Sequence, residues 1–426
     1  MRLLSAALAA AFVVLIAPQV AAASPYARYG VQDDAWIAFG PGTLESRLDI
    51  LETAGVQVVR YTLRWDQVAA RRPANARSGA DPAYDWGASD AVLKGLRDRG
   101  IPAIVTIWGT PRWANGGRTP NWAPTSASTF QNFVHAAMDR FPWVNHWTVW
   151  NEPNQQRWLR PTSPRVYTQR LLNPAYGVIK SRKPGAMVAG GVTAPRGNVG
   201  GMSPVMWIRG MRAANARLDA YAHNPYPLHP RRETPFTGGC AHCLTITMAT
   251  LERLIGEVRR NFGVGKRIWL TEWDYQTSPP ERFMGVPPAV QARYYGEAGL
   301  RTFRAPRVDF LIKFLVRDEP TPERWQSGMF TTGGVAKPSF RAFMLPLAQV
   351  SRSGTRTVVW GQVRPRQGRQ PYRLQQFRSG RWHNVGGQFW TGQRGFFQRT
   401  LQARPGSPLR IWSPRDGTFS PILYVR

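Results

Sequence analysis

Two glutamates sit in settings that could do chemistry. One is in the run Trp150-Asn151-Glu152-Pro153-Asn154, the other in Leu270-Thr271-Glu272-Trp273. A pair of carboxyl groups is the minimum equipment for cleaving a glycosidic bond. One must hold a proton and give it to the leaving oxygen; the other must be ionised to attack the anomeric carbon. Aromatic and apolar neighbours raise the pKa of the acid by desolvation, and a nearby arginine keeps the nucleophile charged. Arg60 lies inside the apolar run Val56–Leu63. An arginine buried in a strand needs an anionic partner, and Glu272 is the candidate.

The elements that must position these groups alternate in type. Strand-like runs are expected near Gly30–Trp36, Val56–Leu63, Ile101–Ile107, His146–Trp150, Met187–Gly190, Leu218–Ala222, Arg267–Thr271 and Val308–Phe314. Helical patterns separate them. Leu44, Leu48 and Leu51 line one helix face, for example, and Phe130, Phe133, Val134 and Ala137 another. A last helix is expected at about Ser339–Leu347. Eight strand–helix pairs predict an α/β chain folded as a (β/α)8 barrel over residues 24–345. Catalytic groups in a barrel sit at the C-terminal ends of strands, which is where Glu152 and Glu272 fall. No glycine-rich phosphate or dinucleotide motif opens a helix, which weakens a nucleotide-binding reading.

These residues resemble the clan A retaining glycoside hydrolases, closest to the family 39 and family 5 style of barrel. The resemblance covers most of residues 29–345. It rests on Asn-Glu-Pro after the fourth strand, a glutamate after the seventh, an arginine in the second, and Leu315-Val316-Arg317-Asp318-Glu319 after the eighth. It implies that Glu152 is the acid/base, Glu272 the nucleophile and Asn151 a ligand of the sugar 2-hydroxyl. It also implies retention of configuration through double displacement, which needs no metal or organic cofactor. One departure stands out. Where these enzymes often end the sixth strand with His, any residue, Tyr, this chain reads His223-Asn224-Pro225-Tyr226. Asn224 stands at the expected histidine position. Tyr226 remains able to hydrogen-bond the nucleophile, and His223 is either a substrate contact or a packed barrel histidine.

Trp108, Trp113 and Trp325 are candidate sugar platforms, with rim packing as the alternative for each. Trp36, Trp122 and Trp273 carry the same ambiguity. Asp33 and Asp34 could bind hydroxyls, and Asp318 and Glu319 could instead pair with local arginines. Cys240 and Cys243 are the only two cysteines. Residues 1–23 read as an export signal: Arg2, an apolar run Leu3–Ile16 and Ala21-Ala22-Ala23 before Ser24. In an oxidising compartment a Cys240–Cys243 disulfide shaping the loop 226–246 is expected. Metal ligation with His229 and His242, or free thiols, stays open, and no metal site is assigned.

The chain has 426 residues, 43% hydrophobic and 12% aromatic, which excludes wholesale disorder. It carries 56 Lys+Arg against 25 Asp+Glu, a formal charge of +31, nearly all as arginine. From residue 346 the pattern changes to short strand-like runs separated by Gly, Pro and Ser, a small all-β sandwich over 346–426. That segment holds 14 arginines and one acid, Asp416. Its positive density suggests attachment to an anionic cell-envelope polymer, against genomic arginine bias without function. Two other readings remain: an inactive carbohydrate-binding barrel of the envelope, and a nucleic-acid binder suggested by charge alone. The favoured expectation is a secreted or envelope-associated glycosidase acting on a polysaccharide or oligosaccharide. No specific nucleic-acid partner and no transmembrane span after cleavage are expected.

Overall fold

The computed structural model describes residues 24–426, so the expected export signal at 1–23 lies outside the described residues. Eight parallel strands close into a barrel in sequence order. They are β1 (Arg28–Gln32), β2 (Val59–Arg64), β3 (Ala103–Trp108), β4 (His146–Val149), β5 (Met187–Thr193), β6 (Ala220–His223), β7 (Arg267–Trp273) and β8 (Val308–Phe314). β1 pairs with β8 over its whole length and closes the ring. Helices cover the outside. Several start on a residue whose hydroxyl accepts from the first turn, as at Thr43, Ser126, Ser163 and Ser203.

The first strand is shorter than its apolar run suggests. Asp33 caps a helix over Asp34–Phe39 by accepting from the Trp36 N–H, so the chain turns away at Gln32. This places Trp36 in a helix.

Alternation along the strands sorts side chains between two environments. Val58, Ile104, Ala222, Trp269, Phe310 and Ile312 fill the lower interior of the barrel. Val59, Tyr61, Val105, Trp147 and Leu270 point outward into the helix layer. Towards the C-terminal ends the interior turns polar. Arg60, Thr106, Thr148 and Thr271 follow the apolar layer, all fully buried.

A helix over Pro338–Met344 ends two residues before β9 (Leu347–Ser353) opens the second unit. Then come β10 (Arg356–Gln362), β11 (Pro371–Arg378), β12 (Arg381–Asn384), β13 (Phe389–Trp390), β14 (Phe396–Gln402), β15 (Pro408–Ser413), β16 (Thr418–Phe419) and β17 (Leu423–Tyr424). β9, β10 and β14 form one antiparallel sheet, and the remaining strands form the other. Leu347 and Val359 from the first pack with Leu374 and Ile411 from the second, making a sandwich core. The expected strand runs of 346–426 are all present. β9 was hidden because its residues continue the helical pattern before them.

The sandwich seats on the barrel helix Pro288–Arg304. Leu300 packs with Ala348 and Trp360. Gly296 and Gly299 make this approach possible: a Cβ on Gly296 would overlap the Leu347 carbonyl, and one on Gly299 would press on the Trp360 ring.

Candidate active site

Arg60 organises the mouth of the barrel. It has no exposed surface. Its Nε donates to Thr106 Oγ1 at 2.9 Å, and Thr106 in turn meets Thr148 Oγ1 at 2.6 Å. Nη2 donates to Asn151 Oδ1 at 2.8 Å. Nη1 donates to Gln32 Oε1 at 2.5 Å and forms the ion pair with Glu272. One guanidinium thus ties β1, β2, β3 and β7 to the loop after β4. The fork geometry of arginine makes this possible; a lysine offers one point charge.

Glu272 reaches the interior because β7 carries an extra residue. Leu270 pairs with Leu311, but Trp273 pairs with Lys313, so three steps on β7 match two on β8. Without that bulge, alternation would send Glu272 outward, since Leu270 already points into the helix layer. With it, Thr271 and Glu272 both face the mouth and Trp273 is buried among Tyr275 and Tyr295. Tyr226 Oη donates to Glu272 Oε2 at 3.2 Å.

Glu152 is placed by backbone strain instead. Trp150 has φ 71° and Glu152 φ 37°, both left-handed for residues with a side chain. The neighbouring Val192 of β5, at φ 47°, accepts the Glu152 N–H at 2.9 Å. A β-branched residue there is unfavourable, and such strain persists at sites where it aims a group. The Glu152 carboxyl accepts from Asn224 Nδ2 at 3.1 Å, and Asn224 Oδ1 accepts from Thr271 Oγ1 at 2.8 Å.

The two carboxyls therefore have unlike partners. Burial pushes Glu152 up to about 7, and the charge of Glu272 adds to the rise; the Asn224 and Trp158 side chains oppose it. Burial also pushes Glu272 up, but the Arg60 guanidinium in direct contact works against that. The first proton to leave belongs to the carboxyl paired with arginine. The second is held by the carboxyl whose direct hydrogen-bond partner is a neutral amide. Such a pair can supply a proton donor and an anion at once.

The expected site residues do not all converge. Glu152, Glu272, Asn151, Arg60 and Tyr226 are joined as described. Asn151 Nδ2 makes no hydrogen bond to the described residues, which leaves a donor open to the mouth. Trp325 also belongs here. Its ring lies 5.0 Å from Tyr226 and 5.6 Å from Phe314, and it is 38% exposed. Trp108 sits at the rim with Arg64 over its ring at 4.6 Å, between Trp150 and Trp158.

His223 and Trp113 are corrections. Tyr221 and His223 point outward on β6, and Ala220, Ala222 and Asn224 point inward. The His223 ring is fully buried, with Nδ1 on Thr193 Oγ1 at 2.8 Å and Nε2 on the Ile246 carbonyl at 3.0 Å. Burial lowers it to about 4, so it is a neutral packed histidine with no nitrogen left for substrate. Trp113 packs edge-on against Trp65, and its indole N–H donates to the Ala69 carbonyl at 2.7 Å. It supports the helix layer, not the mouth.

Asp33 accepts from the Val316 and Arg317 N–H groups as well as from Trp36, so it fastens β1 to the loop after β8. Asp318 pairs with Lys337, not an arginine, and Glu319 lies 3.7 Å from Arg324. Behind Glu272, buried Asp274 pairs with Lys313 and accepts from Tyr295 Oη at 2.5 Å. That charge cluster, and the roles of Gln32 and Trp158, had no sequence signal beyond residue type. Asn224 had one: its parity with Tyr226. Cys240 and Cys243 are disulfide-bonded. Among the described residues no cluster of His, Cys, Asp and Glu is arranged to hold a metal.

No protein-family model matches the sequence, and no curated protein matches it. Solved structures do. A family 39 glycoside hydrolase from the gut symbiont Bacteroides cellulosilyticus WH2 superposes with a TM-score of 0.61 at 16% identity, over 88% of this chain and 79% of its own. A glucosidase from Croceicoccus marinus gives 0.60 at 13% identity, over 90% and 94%. The chain shares their fold, a (β/α)8 barrel followed by a β-sandwich. A family 5 subfamily 18 protein from Streptomyces cattleya, solved with GlcNAc, gives 0.52 at 17% identity over 74% and 78%. At these identities the likeness is one of fold, and the chemistry must be argued from the side chains.

Proposed function

We propose that the protein is an exported, retaining glycoside hydrolase acting on a polysaccharide or other glycan. The observation that carries this reading is the unlike treatment of two carboxyls at one barrel mouth. Glu272 is ion-paired with Arg60 and hydrogen-bonded by Tyr226; Glu152 is pushed up to about 7 and touched by an amide. In the first step the Glu272 carboxylate attacks the anomeric carbon, and Glu152 gives its proton to the departing oxygen. In the second, the Glu152 carboxylate takes a proton from water, which displaces Glu272 and restores both groups. Asn151 Nδ2 is the donor available to a hydroxyl beside the reacting carbon, held in place by Arg60. The exposed Trp325 face offers a stacking surface next to Tyr226. The structural neighbours named as glycoside hydrolases support the reading through shared fold.

Glu272→Gln tests it. The variant keeps the side chain's shape, with its oxygen still able to accept from Arg60 and its amide able to donate to Tyr226, so it is expected to fold and to lose turnover by about four orders of magnitude or more, since nucleophile and leaving-group steps both depend on it. A screen of defined oligosaccharides gives the substrate. NMR of the first-formed anomer then gives the stereochemistry; an inverted product excludes double displacement. Undiminished hydrolysis by the Gln variant removes Glu272 from the chemistry. We further propose that the basic sandwich attaches the enzyme to an anionic polymer of the cell envelope, on the strength of its +13 charge in 81 residues. Among the described residues no helix is long and apolar enough to cross a membrane.

A further inference from the structure

A groove of about 990 Å3 lies at the opposite end of the barrel from the two glutamates. Its floor is the chain entering β1, β2 and β3: Ala27–Arg28, Gly55–Gln57 and Gly100–Pro102. Its far wall is the sandwich, through the loops that carry Arg366, Arg394 and Arg415. Six arginines line it against two acids, Glu52 and Asp416.

Three of those arginines are accounted for. Arg99 pairs with Asp49, and Arg366 with Asp416. Arg364 is buried and donates to the Phe343 carbonyl at 2.8 Å. The other three, Arg28, Arg394 and Arg415, have no carboxylate within ion-pair distance among the described residues. Residues 1–23 contain no acid that could supply one. Two of them are tethered by a hydrogen bond. Arg394 Nη1 donates to the Tyr26 carbonyl at 2.8 Å, and Arg415 Nη1 to Gln370 Oε1 at 3.2 Å. Burial lowers the Arg28 pKa, the charge of Arg394 lowers it further, and the charge of Asp309 opposes this with a smaller effect. Like charges held together without a shared counter-ion are unfavourable, and a bound anion between them reverses the sign of that interaction.

The lining also indicates which anion. No aromatic side chain lines the groove itself; at its rim the exposed rings of Tyr26 and Trp390 lie under Arg394 and Arg415. Besides arginine it offers Gln57, Gln367 and Gln393, amides suited to hydroxyl groups. We propose that this groove binds a carboxylated polysaccharide, its acid groups taken by Arg28, Arg394 and Arg415. The proposal rests on the reading of the sandwich as an attachment unit and gives that unit a place. It is independent of the reaction at the mouth.

Full-length mature protein is titrated with polygalacturonate at near-physiological salt. It is compared with R28Q/R394Q/R415Q and with R378Q/R381Q/R404Q, which removes the same charge from exposed sandwich sites outside the groove. The groove variant is expected to lose about tenfold or more in affinity, and the control about threefold or less. The groove variant keeps the far-UV circular dichroism and thermal unfolding midpoint of the unaltered protein, which shows that it is folded. Equal losses in the two triple variants, or loss only in the control, overturn the groove while keeping attachment through the sandwich. No binding by the unaltered protein overturns both. Equal binding of methyl-esterified polymer, or tighter groove-dependent binding of single-stranded DNA, overturns the carboxylated glycan as partner.

Discussion

The substitution Glu152→Gln should separate stability from function at one atom. The carboxyl is half-buried at the mouth and pushed from an ordinary 4.5 up to about 7, first by burial and then by the charge of Glu272. Between those two pH values the folded protein keeps a proton that the unfolded chain has released. The unaltered protein therefore loses stability as pH rises through that window, and the loss is complete above about 7. At about 1.4 kcal/mol per tenfold change, the cost is at most about 3.5 kcal/mol, and less because water reaches a half-buried carboxyl. An amide in place of the carboxyl would carry no charge at any pH, and its oxygen would still accept from Asn224. Urea titrations of both proteins from pH 4 to 8 should give curves that coincide at the acid end. The variant should gain stability progressively to about neutrality and then hold a constant advantage. The same variant should lose kcat/KM on substrates with poor leaving groups and keep much of it on activated aryl glycosides, while kcat falls for both because the second step lacks its base. A stability difference that is independent of pH, or that grows towards acid, refutes the assignment of Glu152 as the group held protonated.

Arg60→Met leaves Glu272 buried without its counter-ion. It should destabilise the fold by about 3–5 kcal/mol at neutral pH, measured by urea titration, and move the acid limb of kcat/KM to higher pH as the carboxyl rises. Asn224→Ala removes a donor that favours ionised Glu152, so the alkaline limb, expected near 7, should move up; a downward shift would contradict the contact. Trp325→Ala should raise KM about threefold or more with kcat nearly kept, as measured on oligosaccharides long enough to reach the rim. Cys240→Ser with Cys243→Ser opens a loop with a sequence separation of 3, so it should cost no more than about 2 kcal/mol and leave turnover of small substrates unchanged.

Much of this site was legible before any coordinates. An arginine in an apolar strand run needs an acid, and Arg60 found Glu272. Strand ends open on a barrel's mouth, which placed Glu152 there, and the resemblance in the sixth strand placed Tyr226 beside Glu272. What could not be read was direction. The bulge in β7 changes which side Glu272 faces, and nothing in Leu270-Thr271-Glu272-Trp273 announces an extra residue. His223 and Asn224 differ by one position, so only the strand's parity decides which enters the barrel. Trp113 had the composition of a sugar platform but lies on a short helical turn over Ala69, a tertiary placement that no local pattern encodes.

The glycines on the helix Pro288–Arg304 bear on how this chain can be taken apart. Sequence composition draws a line at residue 346, but the surface that accepts the sandwich is cut into a barrel helix, by Gly296 against Leu347 and Gly299 against Trp360. That helix packs inward through Tyr294, Tyr295 and Ala298 and outward through Leu300. A truncation at the compositional boundary would leave a notched apolar face in water, so an insoluble fragment would say nothing about catalysis. A graft of the sandwich onto another barrel would meet side chains where these two glycines stand. The barrel, its notch and the sandwich pack as one unit, and engineering that respects only the change in composition would cut through a joint.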